Sequence, residues 1–428
     1  MKYLFKNARI LKMNGEEIFF GDLIVKDNRI AYVGKSIDHK DTFDRIIQCD
    51  GNLLMPGFKN CHTHSPMVFL RSFADDLPLQ DWLFNYCFPA EKNLTGEDIY
   101  HLSKLAFLEY LSSGITACFD QYFYPHMFIK ACKDFGMRSL VCFMPTSYYS
   151  KEDMMRMFEK EENDVHSLTK YCFSLHSEYT TSKEEVDLIN ELVHHYKVPF
   201  YTHLSETKKE VDECYEKRGM SPIEYFEKEG LFDFGGGGYH CIYMSDKDIE
   251  IFKKYNLSVV SNPGSNSKLA SGICDIEKLR KAGVNVCLGT DGPASNNCLD
   301  MFKEMMLAFS FAKLKNMDAS ALPAEEVLKM ATVNGSKALN LKDADILEVG
   351  KLADIIMIDL SRPNMRPLLN IEKNIVFSGS KENIKMTMID GKILYEDGKF
   401  FVDEDVEQIY QKSQEITIKL LKAVGRYE

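Results

Sequence analysis

The chain has 428 residues and a formal net charge of −12, and its 45% hydrophobic and 27% charged residues place it among ordinary globular proteins. Its acidic balance disfavours nonspecific binding to nucleic acid or to an anionic membrane, both of which need basic patches. No apolar run reaches the roughly 20 residues that span a bilayer, and the opening MKYLFKNARILKMNGEE lacks a signal peptide's unbroken apolar core, so a cytoplasmic location is expected.

Taken in chain order, the first fifty residues carry the β-type runs YLFKNARILKM, DLIVKDNRIAYVG and RIIQCDGNLLMPG. The turn signals Asn14-Gly15, Asp27-Asn28 and Asp50-Gly51 punctuate them, which is the pattern of hairpins in a small sheet. Strands then alternate with longer helical stretches. Apolar strand candidates fall at 53–62, 115–120, 138–144, 172–176, 198–204, 237–241, 257–262 and 284–291. Helical spacing occupies 97–112, 183–196, 246–254 and 275–282. Eight such units are the rhythm of an α/β fold of the (β/α)8 TIM-barrel type. The glycine run 235–238 reads as a loop before the sixth strand. The β texture returns at 354–360 and 386–401, with Asp390-Gly391 and Asp397-Gly398 at its turns. The two ends are therefore expected to build one small β-sandwich: 1–54 its first part, 55–349 the barrel, 350–428 its second part plus a C-terminal helix.

Twelve cysteines are scattered singly with no Cys-x-x-Cys pair, which argues against a zinc ribbon or a thioredoxin-type site. They read as buried free thiols in a reducing compartment.

Catalysis in such a barrel sits at the C-terminal ends of the strands. Five strand candidates end in metal-capable side chains: His62-Thr63-His64, His176, His203, His240 and Asp291. With 11 histidines in the chain a lone His-x-His carries little, and any single one could be a satisfied core residue. The agreement of several strand ends carries the weight. Alternation turns His62 and His64 to one face. With His203 and Asp291 they offer three nitrogens and one carboxylate, leaving a position for water on Zn²⁺ or a similar divalent ion. Such an ion lowers the pKa of its water from about 16 towards 7. Asp291 can accept the proton, and His240 can orient the hydroxide. One ion is expected, zinc first, although the same donors suit iron or manganese. Glu206, three residues after His203, can protonate a ring nitrogen and shuttle the proton to a departing amine. Its alternative reading is a helix cap within Ser205-Glu206-Thr207.

At these residues the sequence resembles a known family. MPGFKNCHTHSPM, HLSET, SNPGSNSKLASG and LGTDGPASNNCLDMFKEM resemble the amidohydrolase superfamily in its mononuclear, cytosine-deaminase-like branch. The stretch 74–98 and the later GKLADIIMIDL look like the 5-methylthioadenosine/S-adenosylhomocysteine deaminase group. The resemblance implies that His62, His64, His203 and Asp291 ligate the metal, with Glu206 as proton shuttle and His240 as hydroxide-orienting base. It also implies that Glu91 binds ribose hydroxyls, that His176 contacts substrate and that Ser295 lies in a purine-contacting segment. Trp82, the only tryptophan, matches a position near the substrate and could equally be plain core. Arg138 matches one of two arginines that help to hold the homocysteine carboxylate. The second has no counterpart before Arg156, and an arginine fork is the usual grip on a carboxylate. Ser177-Glu178-Tyr179 stands where the family usually has Ala-Pro-Tyr or Ser-Pro-Tyr.

The expected function is metal-dependent hydrolytic deamination of an adenine nucleoside (adenosine, 5-methylthioadenosine or S-adenosylhomocysteine) to the inosine analogue and ammonia. The implied partner is a small purine nucleoside, with no nucleic acid or membrane, and family habit implies a homo-oligomer. Two alternatives stand beside it. One is a guanine, pterin or triazine hydrolase on the same scaffold, where Glu91 would have no ribose to hold. The other is a non-catalytic barrel, against which the retained metal ligands argue.

Overall fold

Short apolar runs broken by Asp-Gly turns build a sheet from both chain ends, and the computed structural model describes residues 1–38, 41–146, 149–164 and 168–426. The N-terminal strands are β1 (Lys2–Ile10), β2 (Phe19–Lys26), β3 (Arg29–Gly34), β4 (Arg45–Gln48) and β5 (Leu53–Pro56). Between β5 and the C-terminal strands run β6 (Phe58–Thr63), β7 (Ile115–Asp120), β8 (Arg138–Phe143), β9 (Thr169–Ser174), β10 (Phe200–Leu204), β11 (Gly236–His240), β12 (Ser258–Ser261) and β13 (Asn285–Leu288). The chain ends in β14 (Ile355–Ile358), β15 (Ile384–Ile389), β16 (Lys392–Glu396), β17 (Lys399–Phe400) and the helix Val406–Ala423.

The terminal strands form one nine-stranded sheet in the order β17-β16-β15-β14-β5-β1-β2-β3, with β4 also on β1. Its two lobes close on a common core that takes Phe5, Ile10 and Leu23 from one end and Ile355, Met357 and Met388 from the other. The expected sandwich is thus a single sheet folded about its own interior. Asp390-Gly391 and Asp397-Gly398 both have positive φ, the geometry that lets a two-residue turn follow the strand twist. Asp50-Gly51 behaves differently. The strands it joins, β4 and β5, do not pair with each other but lie parallel along successive halves of β1. The expected third hairpin is therefore a step along one long strand edge.

Strands β6 to β13 form an eight-stranded parallel sheet in sequential order. The first and last are drawn together where Asn60 Nδ2 donates to Thr290 Oγ1 at 2.8 Å and Asp291 N–H donates to the His62 carbonyl at 2.9 Å. This is the expected barrel. Six surrounding helices start with reciprocal capping boxes, such as Ser182 with Glu185 and Ser245 with Asp248, which satisfy orphan N–H groups and fix each loop-to-helix entry. Four free thiols, Cys61, Cys142, Cys172 and Cys287, pack with Phe119, Tyr201 and Tyr239 inside the barrel as small apolar groups. Among the described residues no helix is long and apolar enough to cross a membrane.

Two strand readings change. The run 53–62 divides into β5 of the terminal sheet and β6 of the barrel. Gly57 is the pivot, because a Cβ there would collide with Thr116. The glycine run is largely strand rather than loop. A Cβ on Gly236 or Gly237 would strike the Phe200 or Ser258 carbonyl, so β11 is glycine-rich because its neighbours approach closely.

Arg138 requires a correction too. It opens β8 at the barrel end opposite the strand termini, where Nε donates to Asp354 Oδ2 at 2.6 Å and Nη2 reaches Asp390 Oδ1 at 3.3 Å. It ties barrel to terminal sheet and cannot touch a ligand at the other end. Burial alone would raise Asp354, but Arg138 holds it below the usual carboxylate range. Asp354→Ala leaves the buried guanidinium to the longer Asp390 contact and is expected to cost about 3 kcal/mol, read as a lower urea midpoint. In the parent this contribution is full above about pH 4 and fades as pH falls through the lowered pKa.

Candidate active site

The C-terminal ends of the strands surround a pocket lined by His64, His203, Glu206, His240 and Asp291. His62 lies within β6 and His64 follows its last residue, so the pleat brings both rings to one side. His203 comes from β10 and Asp291 from the turn after β13. One donor atom from each of these four residues lies within 4.8 Å of the others. Asp291 Oδ1 is 3.4 Å from His62 Nε2 and 3.3 Å from His64 Nε2. These are edges of a tetrahedron with bonds of about 2.0–2.1 Å, the zinc–nitrogen and zinc–oxygen range.

Neighbouring hydrogen bonds fix which atoms face the centre. His64 Nδ1 bonds the Gln121 carbonyl at 2.5 Å and His203 Nδ1 the His176 carbonyl at 2.8 Å, which leaves each Nε2 inward. His62 is fully buried, stacks on Tyr239 at 3.7 Å between centroids, and among the described residues has no hydrogen-bond partner on either nitrogen. A buried imidazole left in that condition suits an ion as its partner. Burial lowers His62 to about 3, so one ring nitrogen keeps a free lone pair at neutral pH. Asp291 is held well below the carboxylate range, against its burial, by His62 and His64. Ser265 and Ser295 hydroxyls donate to its Oδ2 at 2.6 and 2.8 Å. The donor set fits a divalent cation.

Glu206 and His240 stand beside this group, with Glu206 Oε1 4.0 Å from His240 Nδ1. His240 Nδ1 bonds Asn266 Oδ1 at 2.7 Å, which directs Nε2 away as an acceptor. Glu206 accepts from Ser271 Oγ at 3.1 Å, and burial raises its carboxyl above the ordinary range. It does not cap the following helix. Thr207 and Glu210 do so, and the Glu210 carboxylate also takes the backbone N–H groups of Ser205 and Glu206. Ser205, His240 and Asp291 all have positive φ without being glycine, a concentration of backbone strain where strands turn into functional loops.

On the far wall Glu91 accepts from Tyr122 OH at 2.5 Å, and burial raises it to about 7 against that bond. Trp82 and His176 line the same pocket. Burial lowers His176 to about 4, and its Nδ1 meets Thr180 Oγ1 at 2.8 Å. The departure after His176 has a local explanation. Glu178 is buried against Arg218 Nε at 2.5 Å, which anchors this loop to the helix following Glu206.

The structure thus brings together His62, His64, His203, Asp291, Glu206, His240, Glu91, His176 and Trp82. Arg138 lies elsewhere. Ser295 sits behind Asp291, spending its hydroxyl on that carboxylate and on the Gly292 carbonyl, rather than lining the pocket. Tyr122, Ser265, Asn266 and Ser271 were not singled out from the sequence. Their one signal was position, since each falls within ten residues after a barrel strand or in the serine- and asparagine-rich run 261–271.

Residues 53–394 match the model of the amidohydrolase family. The chain belongs to the amidohydrolase family. It is 37% identical over 401 residues to a 5-methylthioadenosine/S-adenosylhomocysteine deaminase of Thermococcus sibiricus, covering 92% of this chain and 94% of that protein. It is also 37% identical to a 5′-deoxyadenosine deaminase of Methanocaldococcus jannaschii, over 92% of this chain and 95% of the relative. Among solved structures, this amidohydrolase is similar to an adenosine deaminase from Xanthomonas campestris with bound zinc, at a TM-score of 0.92 and 29% identity, covering 98% of both chains.

Proposed function

We propose that this amidohydrolase hydrolytically deaminates adenine nucleosides at C6, with one zinc ion held by His62, His64, His203 and Asp291. The observation that carries the reading is the convergence of those four donors beneath Glu206 and His240 in a pocket whose far wall ends in Glu91. The names of similar proteins support the substrate class.

A divalent ion in this place supplies Lewis acidity and a water acidic enough to attack near neutral pH. The chain's own residues do the rest. Glu206, raised by burial, is suited to hand its proton to ring N1; the proton that Asp291 takes from the water then serves the departing amine, and the hydroxyl proton released as the C6 carbonyl forms restores Glu206. His240 Nε2, with Nδ1 committed to Asn266, orients the attacking water and accepts its hydrogen bond. Asp291 takes up the water's proton, and the Ser265 and Ser295 hydroxyls keep its second oxygen in place. Glu91 accepts the ribose hydroxyls, and Trp82 and His176 flank the bound nucleoside.

Leu79, Phe88, Phe123 and Met144 also line the pocket, apolar side chains suited to an uncharged 5′ substituent. Among the described residues the lining holds no lysine or arginine, and Lys92 lies in the adjoining groove beyond Phe88 and Phe123. This supports adenosine or an uncharged 5′-substituted nucleoside over S-adenosylhomocysteine. The free thiols fit a cytoplasmic enzyme. The exposed Met306 and Leu314 on the helix Met301–Asn316, with Met317 just past its end, fit association into a homo-oligomer.

The test is an ammonia-release screen over adenosine, 5-methylthioadenosine, S-adenosylhomocysteine, guanine and cytosine. The two uncharged adenine nucleosides are expected to lead. Faster release from guanine or cytosine would overturn the reading.

Two further outcomes concern Glu91. Glu91→Ala is expected to remove about 1.5–3 kcal/mol of nucleoside binding, roughly 10- to 150-fold in kcat/KM, and to spare activity on free adenine. A carboxylate binds hydroxyls better ionised, and burial puts this one at about 7. KM should therefore fall as pH rises through about 7, and Glu91→Gln should flatten that dependence. A KM profile unchanged by the substitution would contradict the ribose contact.

A further inference from the structure

Two loops supply the hydrogen bonds that orient the centre. The loop after β12 brings Ser265 to Asp291 and Asn266 to His240, and the loop after β13 brings Ser295 to Asp291. Both loops meet one side chain, the fully buried Glu304 in the first turn of the helix Met301–Asn316. Its Oε2 accepts Gly264 N–H at 2.8 Å and its Oε1 accepts Asn296 Nδ2–H at 2.7 Å. Asn296 Nδ2 also donates to the Thr290 carbonyl at 2.7 Å, and Lys303 Nζ holds Asn296 Oδ1 at 2.8 Å. The junction has no slack, because a Cβ on Gly264 would collide with Glu304 Oε1 and the Asn296 amide.

We propose that Glu304 is a positioning residue, setting the placement of His240 relative to Asp291 by clamping the two loops that orient them. The inference rests on the reading of the site given above. Glu304 never meets substrate or ion in this arrangement, and it acts through Gly264 and Asn296. The chemistry of the clamp explains why a carboxylate is buried there. Two N–H donors converge from different loops, and an ionised carboxylate offers two acceptor oxygens and no donor. A glutamine of the same size would turn an NH₂ group against one of those donors. Burying such a charge is costly and raises Glu304 to about 7, against the Gly264 and Asn296 hydrogen bonds that favour the ionised form. The helix N-terminus and the neighbouring Lys303 offset part of that cost.

The test compares wild type, E304Q and N296S, each reconstituted with zinc. Three properties are read: zinc retention against a graded chelator, kcat and KM for adenosine, and the pH profile of kcat. Thermal midpoints identify any variant that fails to fold. E304Q is expected to weaken zinc retention about 10- to 100-fold, as loss of an outer hydrogen-bond partner does. Its kcat should fall by a similar factor with KM within about threefold, and its pH profile should shift. N296S releases the same clamp from the loop side and should give the same pattern. The double variant should lose little more than either single one, because both break one unit. Two results overturn the proposal: an E304Q enzyme with zinc retention, kcat and pH profile all within twofold of wild type, or losses from E304Q and N296S that simply multiply. Wild type that binds no zinc overturns the reading of the site itself. Wild type that binds zinc beside an E304Q unchanged in zinc retention, kcat and pH profile overturns only the clamp.

Discussion

Glu206→Gln is expected to keep the bound metal and lose about 10²- to 10⁴-fold in kcat, the span that a well-placed proton carrier contributes. The argument is geometric first. Glu206 lies 4.0 Å from His240 Nδ1 and lines the pocket beside the four-donor group without belonging to it. Glutamine has the same length and can keep the Ser271 hydrogen bond, so the pocket should hold its shape. It cannot give up the proton that ring N1 must gain. Burial raises the Glu206 carboxyl, so the parent retains the protonated form at a pH where an exposed carboxylate has lost it. Ammonia release and zinc content measured on one preparation separate the two effects. Wild-type turnover in this variant would remove Glu206 from the chemistry.

His203→Ala should be more damaging still, since it removes a donor rather than a proton carrier. Outer partners of metal ligands are commonly worth 10- to 100-fold in affinity, so loss of a ligand should weaken zinc binding by more than about 100-fold. Deamination should fall with it. His176 provides the control. Its ring lies 4.7 Å from that of His203, yet what it gives His203 is a backbone carbonyl, which survives substitution. His176→Ala should therefore keep its zinc and show its defect in substrate handling. Equal metal loss in both variants would mean that general disruption, not ligation, explains the His203 result.

The contrast between these two histidines marks where sequence reasoning succeeded and where it stopped. Strand ends were legible because β periodicity and the barrel rule operate over a few residues. That is how His62, His64, His203, His240 and Asp291 could be gathered from positions more than 200 residues apart. The helices at 97–112, 183–196, 246–254 and 275–282 were legible because apolar residues recur there at helical spacing. Arg138 was misplaced for the opposite reason. Its partners Asp354 and Asp390 lie 216 and 252 residues away, and no local pattern says that β8 begins where the terminal sheet docks. Ser295 could be assigned to the right neighbourhood but not to a direction, since a hydroxyl in a loop can face the pocket or the carboxylate behind it. The pairing of β4 and β5 along β1 was hidden because a turn signal reports chain reversal and not which strands then pair. Gly236 looked like loop because close backbone approach between neighbouring strands leaves no mark on the sequence beyond the glycine itself.

The most direct measurement is X-ray absorption at the zinc edge on stoichiometrically loaded protein. Three imidazole nitrogens and a carboxylate oxygen at about 2.0–2.1 Å, with one ion per chain lost on substitution of Asp291, are the expected result. A folded protein that takes up no stoichiometric ion would contradict the account, as would sulfur neighbours at about 2.3 Å drawn from its cysteines.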